Sequence, residues 1–202
     1  MADVVDQERV AATLADAVGA LDGAGIRYAL IGGLASTAHG RPRATADIDF
    51  LVHPDDARGA LEVLANARFE TEETNPHWIY KATRDGVVVD VIFKVSGDIY
   101  LDEEMSERSA EKELFGHRVR VASPEDVLVI KAIAHDEPSF RHWHDALAIV
   151  AAAPLDWEYV CRRARHGARR VLSLLVYAQS NDLIVPEEPI RRLFETIYDG
   201  TG

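Results

Sequence analysis

A single cysteine, Cys161, in a chain of 202 residues excludes an internal disulfide and any zinc site built on paired thiolates. Between Val160 and Arg162 it reads as a helix packing residue rather than a nucleophile. The longest apolar runs reach about half of the ~20 residues that cross a bilayer, so no membrane span is expected. Basic residues are scarce as well: 22 Lys and Arg against 34 Asp and Glu leave a formal charge of −12. That balance excludes a surface that coats nucleic acid, because affinity for a polyanion comes largely from Lys and Arg neutralising phosphates. The acidic start, Met1 to Glu8, lacks the basic and apolar regions of a secretory leader, which predicts a cytoplasmic protein.

What is present is an ordinary folded composition, 48% hydrophobic and 28% charged. Apolar residues at Val10, Leu14, Ala17, Val18 and Leu21 follow the helical period and predict an amphipathic first helix ending near Gly23. Ile26 to Ile31 reads as a buried strand running into Gly32-Gly33 and a short helix, and Asp47 to Val52 as a second strand. Pro54 opens a helix to about Ala67. Strands are expected at Phe69 to Glu72, His77 to Thr83 and Val87 to Lys94, the last two joined by an Asp85-Gly86 turn. The acidic stretch from Asp98 to Glu113 reads as an exposed helix, and Leu114 to Val121 as strand around a turn at Gly116. Ser123-Pro124-Glu125-Asp126 is a strong helix start, with a cap, a proline and acidic side chains at the positive helix end. Helices then follow to the end, broken near Pro138, Pro154 and Pro186.

The expected fold class is therefore α/β (α+β): a small mixed sheet flanked by helices, followed by a C-terminal helical region. The domain boundary is expected near 122, with 1–122 as catalytic core and 123–202 as the helical region.

The chemistry concentrates in one segment. A strand that ends in Gly32-Gly33 and enters a helix presents backbone N–H groups suited to phosphate oxygens, with Ser36 and Thr37 adding hydroxyls nearby. Asp47 and Asp49, two apart on a strand, project from one face and can share a hard cation such as Mg²⁺. Alternation alone also fits a plain solvent face with Ile48 and Phe50 turned inward. Asp90 is a lone charge in the apolar run Val87 to Phe93.

The pattern Ile31-Gly32-Gly33, a spacer of thirteen residues and then Asp47-Ile48-Asp49-Phe50 resembles the signature of the nucleotidyltransferase superfamily related to DNA polymerase β. The resemblance implies a third metal-binding carboxylate on a later strand, and Asp90 matches that place. It also implies transfer of a nucleotidyl group from an NTP to an acceptor hydroxyl, with Mg²⁺, or Mn²⁺, held by Asp47, Asp49 and Asp90. Gly32, Gly33 and Ser36 would cradle the phosphates. Gly33 stands where many members carry Ser, so the triphosphate-binding hydroxyl falls to Ser36 or Thr37.

Within the superfamily, Gly32-Gly33-Leu34-Ala35, the Arg43-x-Thr45-x-Asp47-x-Asp49 spacing and the Ser123 to Asp126 helix carrying Lys131 are similar to AbiEii/MenT-like nucleotidyltransferases, which include toxins of toxin–antitoxin systems. The same features occur in aminoglycoside nucleotidyltransferases. The resemblance covers roughly residues 24–150. It implies an acceptor such as a tRNA 3′ end or other RNA, a protein or a small molecule, and a possible antitoxin partner. A silent nucleotide- or partner-binding module on the same fold is the alternative.

Lys131 is the one charge between Val127 and Ala134, so its ammonium needs an anion: a triphosphate, to which Arg43 would add a second cation, or Asp145. His135-Asp136 and His144-Asp145 resemble the metal pairs of HD-type phosphohydrolases, a reading that leaves the glycines and Asp47/Asp49 unexplained. His77, Trp78 and Tyr80 suit base stacking or a core. Arg162, Arg163, Arg165, Arg169 and Arg170 would form a basic patch, for RNA or merely solvated.

Overall fold

The computed structural model describes residues 7–135 and 140–198. Its contacts divide the chain into two compact units, one from the described parts of Met1–Ala38, Pro42–Val95 and Tyr100–Ser123, the other from those of His39–Arg41, Ser96–Ile99 and Pro124–Gly202.

The first unit is built on a sheet of seven strands: β1 (Tyr28–Leu30), β2 (Asp47–Val52), β3 (Glu70–Asn75), β4 (Ile79–Arg84), β5 (Val87–Ile92), β6 (Ala110–Leu114) and β7 (His117–Val121). Their order is β3-β4-β5-β2-β1-β7-β6. The pairs β2/β5 and β1/β7 are parallel and the other four antiparallel, which makes the sheet mixed. Helix α1 (Gln7–Gly23) buries the residues whose spacing predicts it, Val10, Leu14, Ala17, Val18 and Leu21. It packs on α3 (Ala57–Asn66), which buries Ala57, Ala60, Leu61 and Leu64. Together they cover the sheet face that carries Ile48, Phe50, Val89 and Val91, all fully buried. A short 3-10 turn at Pro54–Asp56 leads into α3.

The β4–β5 hairpin turns at Asp85 (φ 52°) and Gly86 (φ 77°). Two consecutive left-handed residues match the right-handed twist of the flanking strands, which is why an Asp-Gly pair serves here. Phe115 (φ 53°) and Gly116 (φ 80°) close the β6–β7 hairpin in the same way.

The stretch 98–113 departs from the single exposed helix its composition suggests. Only α4 (Glu103–Arg108) is helical, started by Asp102, whose carboxylate accepts from the Met105 N–H at 2.9 Å. Ser109 is extended, its hydroxyl donating to the Met105 carbonyl at 2.7 Å, and residues from Ala110 onward pair with β7. Ala110, Glu111, Lys112 and Glu113 are all exposed. A charged edge strand blocks pairing with other chains but lacks the apolar alternation that marks a strand in sequence.

The second unit contains α5 (Pro124–Ala134), α6 (Arg141–Ala152), α7 (Trp157–Arg163), α8 (Ala168–Ser180) and α9 (Glu187–Tyr198). Helix α5 is buried from Glu125 to Ile133 and packs against α6, α7 and α8. The breaks near Pro154 and Pro186 fall between helices, while the break near Pro138 lies outside the described residues. No described helix is long and apolar enough to cross a membrane.

Candidate active site

Alternation along β2 sends Ile48 and Phe50 into the core and leaves Asp47 exposed and Asp49 half-buried on the opposite face. The parallel pairing of β2 with β5 sets Asp49 directly beside Asp90 and Asp47 beside Val88. Three hard oxygen donors thus share one face of two neighbouring strands. Each of the three residues has separate contacts. Asp47 accepts a 2.6 Å hydrogen bond from the Thr45 hydroxyl, and Thr45 is itself buried. Asp90, with 15% of its side chain exposed, forms a 2.5 Å ion pair with Lys81 of β4, its register partner on the other side. Asp49 anchors the loop before α2 (Gly32–Ala38): its carbonyl accepts the Ile31 N–H at 2.9 Å.

Gly32 has φ 68°, a left-handed conformation that favours glycine. A Cβ there would meet Asp49 Oδ2 at 1.7 Å, so the chain passes over the carboxylate where no side chain fits. At Gly33 a Cβ would lie 2.7 Å from Thr45 Oγ1 and 2.8 Å from Arg43 Nη2. The loop 43–45 therefore folds back onto the start of α2 and brings Arg43 to it, with Arg43 Nη1 donating to the Ala44 carbonyl at 3.2 Å. Ser36 is fully buried and its hydroxyl donates to the Gly32 carbonyl at 2.9 Å, while Thr37 donates to the Gly33 carbonyl at 3.2 Å.

The donor chemistry fits a hard divalent cation, for which carboxylate oxygens are the preferred ligands. Among the described residues no three acidic, histidine or cysteine side chains are drawn into a closed metal cluster.

Lys131 and Asp145 belong to the second unit and pair with each other at 3.0 Å, with 5% and 0% of their side chains exposed. Asp145 also accepts from Arg41, a residue that nothing in its sequence context singles out. The histidine pairs of the rival reading have other contacts. His135 stacks on Trp143 at 4.6 Å, His144 meets Phe140 edge-on at 5.5 Å, and Asp136 lies outside the described residues. Tyr80 is a core residue against Phe93, whereas Trp78 is 44% exposed.

The five arginines from 162 to 170 do not make one patch. Arg163 is 1% exposed and pairs with the buried Asp126 at 2.9 Å, where Tyr159 also donates its hydroxyl. Helix α7 buries its inner face, and that face includes Arg163. Cys161 is half-buried in α7 near the Pro189 carbonyl, and burial raises its thiol above the usual range.

Besides Arg41, sequence reasoning missed Lys81, which pairs with Asp90. Its signal was available: counting back from the two-residue turn at Asp85-Gly86 pairs Arg84 with Val87 and so Lys81 with Asp90.

Known proteins bear on this arrangement at two levels. Residues 2–181 match the sequence model of a family described as uncharacterised nucleotidyltransferase. No curated protein matches the chain. Among solved structures, the antibiotic-resistance factor ANT(2'')-Ia is similar at 18% identity and TM-score 0.56, over 87% of this chain and 94% of that one. The lincomycin-bound lincosamide antibiotic adenylyltransferase LnuA is similar at 13% identity and TM-score 0.51, over 73% and 98%. An antigenic nucleotidyltransferase-like protein from Paracoccidioides brasiliensis reaches 16% identity and TM-score 0.57, over 96% and 99%. At these identities the likeness is one of fold.

Proposed function

The chain belongs to the family of uncharacterised nucleotidyltransferases, and from that premise we propose that it transfers an NMP group from an NTP to an acceptor hydroxyl at the face carrying Asp47, Asp49 and Asp90. The observation that carries this reading is the register of Asp49 beside Asp90 across two parallel strands, under a glycine that admits no side chain.

In this reading Asp47, Asp49 and Asp90 would hold Mg²⁺ or Mn²⁺, which would supply positive charge to offset the negative charge developing in the transfer. The acceptor oxygen forms a bond to the α-phosphorus as the bond to the β-phosphate oxygen breaks, releasing pyrophosphate. Asp90 takes the acceptor's proton. Gly32 and Gly33 let the backbone approach the β- and γ-phosphates, and Arg43, whose guanidinium reaches the start of α2, offsets their charge. The Ser36 hydroxyl, bonded to the Gly32 carbonyl, steadies that turn. The part of Lys131 in nucleotide binding rests on the need of a buried ammonium for an anion, with Asp145 beside it as its partner; a role as a toxin with an antitoxin partner rests on the resemblance to AbiEii/MenT-like enzymes.

Acceptor classes are a tRNA 3′ end or other RNA, a protein, and a small molecule. Solved adenylyltransferases of the same fold are crystallised with lincomycin and with adenylyl-2''-tobramycin. Incubating the protein with α-labelled NTPs, Mg²⁺ and cell extract separates the classes by the fate of the label. Asp49→Asn removes the labelled product in every class. EDTA stops the reaction and added Mg²⁺ or Mn²⁺ restores it. Unchanged transfer by Asp49→Asn sinks the assignment. The specific observation that favours a silent module is the Lys81 ammonium on Asp90, and that reading expects no labelled product from any extract.

A further inference from the structure

The strand register aligns four charged residues in one row across the sheet: Glu72 beside Lys81, Lys81 beside Asp90, and Asp90 beside Asp49. Register partners on neighbouring strands point to the same face, and the backbones are about 4.8 Å apart. Two carboxylates, Asp90 and Asp49, are therefore neighbours, an arrangement that like charges make unfavourable. Lys81 relieves it by its 2.5 Å contact with Asp90. Its other flank carries a second carboxylate, Glu72, on the exposed edge strand β3. With 38% of its side chain exposed, Lys81 is free of the packing that locks a core residue. A flexible four-carbon stem ending in a point charge can serve either neighbour.

We propose that Lys81 is the exchangeable counter-ion of the active site: its ammonium holds Asp90 until a divalent cation takes that carboxylate, and it then moves to Glu72. The inference rests on the reading that Asp47, Asp49 and Asp90 hold the metal. Lys81 is a positioning residue in this scheme. It touches neither nucleotide nor acceptor, draws Asp90 toward β4 in the metal-free protein, and competes with the cation for it. No step of the scheme needs a change in the protonation of either group.

The competition is read without turnover, by titrating Mn²⁺ into the nucleotide-free full chain and following the loss of the free-ion EPR signal. Lys81→Met removes the competitor and is expected to lower the Mn²⁺ dissociation constant up to about fivefold, the upper end for a partly exposed charge pair. Glu72→Gln removes the second anchor, leaves Lys81 on Asp90, and is expected to weaken Mn²⁺ binding several-fold. In EDTA the Lys81→Met variant melts below the wild type, because Asp90 loses its ammonium partner while Asp49 stays beside it; Mn²⁺ closes the gap. A Lys81 with a purely structural role predicts instead an equal melting loss with and without Mn²⁺, and unchanged affinity in both variants, which overturns the proposal. Asp49→Asn in the same titration separates the two levels. If it abolishes wild-type Mn²⁺ binding while Lys81→Met and Glu72→Gln leave the affinity alone, the active-site reading stands and the exchange fails. If Asp49→Asn binds Mn²⁺ as the wild type does, the active-site reading fails, and the exchange with it.

Discussion

The backbone at Gly32 passes so close to Asp49 that a Cβ on residue 32 would sit 1.7 Å from the carboxylate Oδ2. The place of the Asp49 side chain requires that residue 32 carry none. Gly32→Ala therefore has two costs. A left-handed alanine is unfavourable by about 1–2 kcal/mol, and the new methyl must displace the carboxylate. A shift of about 1 Å at a reacting centre is enough for a ~100-fold loss of rate. Urea denaturation and label transfer measured together test this; a variant that is destabilised but fully active shows that Asp49 need not occupy its observed place.

The Lys131–Asp145 pair yields an asymmetric expectation. Asp145 is fully buried and has two cationic partners, Lys131 and Arg41. In Lys131→Met the carboxylate keeps Arg41, so the loss is about 2 kcal/mol, below the ~3–5 kcal/mol of a fully stranded buried charge. In Asp145→Asn two cations lose their anion, and the loss reaches that upper range. Chemical denaturation of both variants checks the order. A Lys131→Met protein less stable than Asp145→Asn contradicts it. Melting with and without Mg-ATP adds the functional arm: loss of the ATP-induced shift in a folded Lys131→Met protein supports its phosphate role, and a retained shift argues against it.

Burial raises the Cys161 thiol, with Arg192 acting in the opposite direction and Glu188 and Glu158 adding to the rise. Raising a thiol's pKa keeps it protonated at neutral pH, and the thiolate is the reactive form. Alkylation by iodoacetamide at pH 8 is therefore slower in the folded protein than in urea, and it accelerates as pH rises beyond the usual thiol range. Folded and unfolded rates that coincide at pH 8 would remove the helix-packing reading of this residue.

The local part of the site was legible in the sequence. Two-residue alternation identified Asp47 to Val52 as a strand with both aspartates on one face, and that strand is β2, residue for residue. The Asp85-Gly86 turn carried the β4–β5 register and with it the facing of Lys81 and Asp90, because a two-residue turn leaves no freedom in pairing. These features depend on neighbours a few residues apart, where backbone geometry dictates the outcome. Tertiary structure alone decided the rest. Nothing within β2 or β5 states that they lie side by side and parallel, yet that pairing sets Asp49 beside Asp90 across 41 residues of chain. The Arg41 contact to Asp145 spans 104 residues, and the burial of Arg163 depends on Asp126 and Tyr159 arriving from other turns of helix. Strand β6 had too little apolar pattern to declare itself, since an edge strand needs only a partner for its backbone. Sequence periodicity records which face of an element is apolar, and so it determined the elements with a buried face and the shared face of Asp47 and Asp49. Which elements meet is settled by packing and backbone pairing over the whole unit, and so the neighbourhood of Asp49 and Asp90 and the buried ion pairs were decided there.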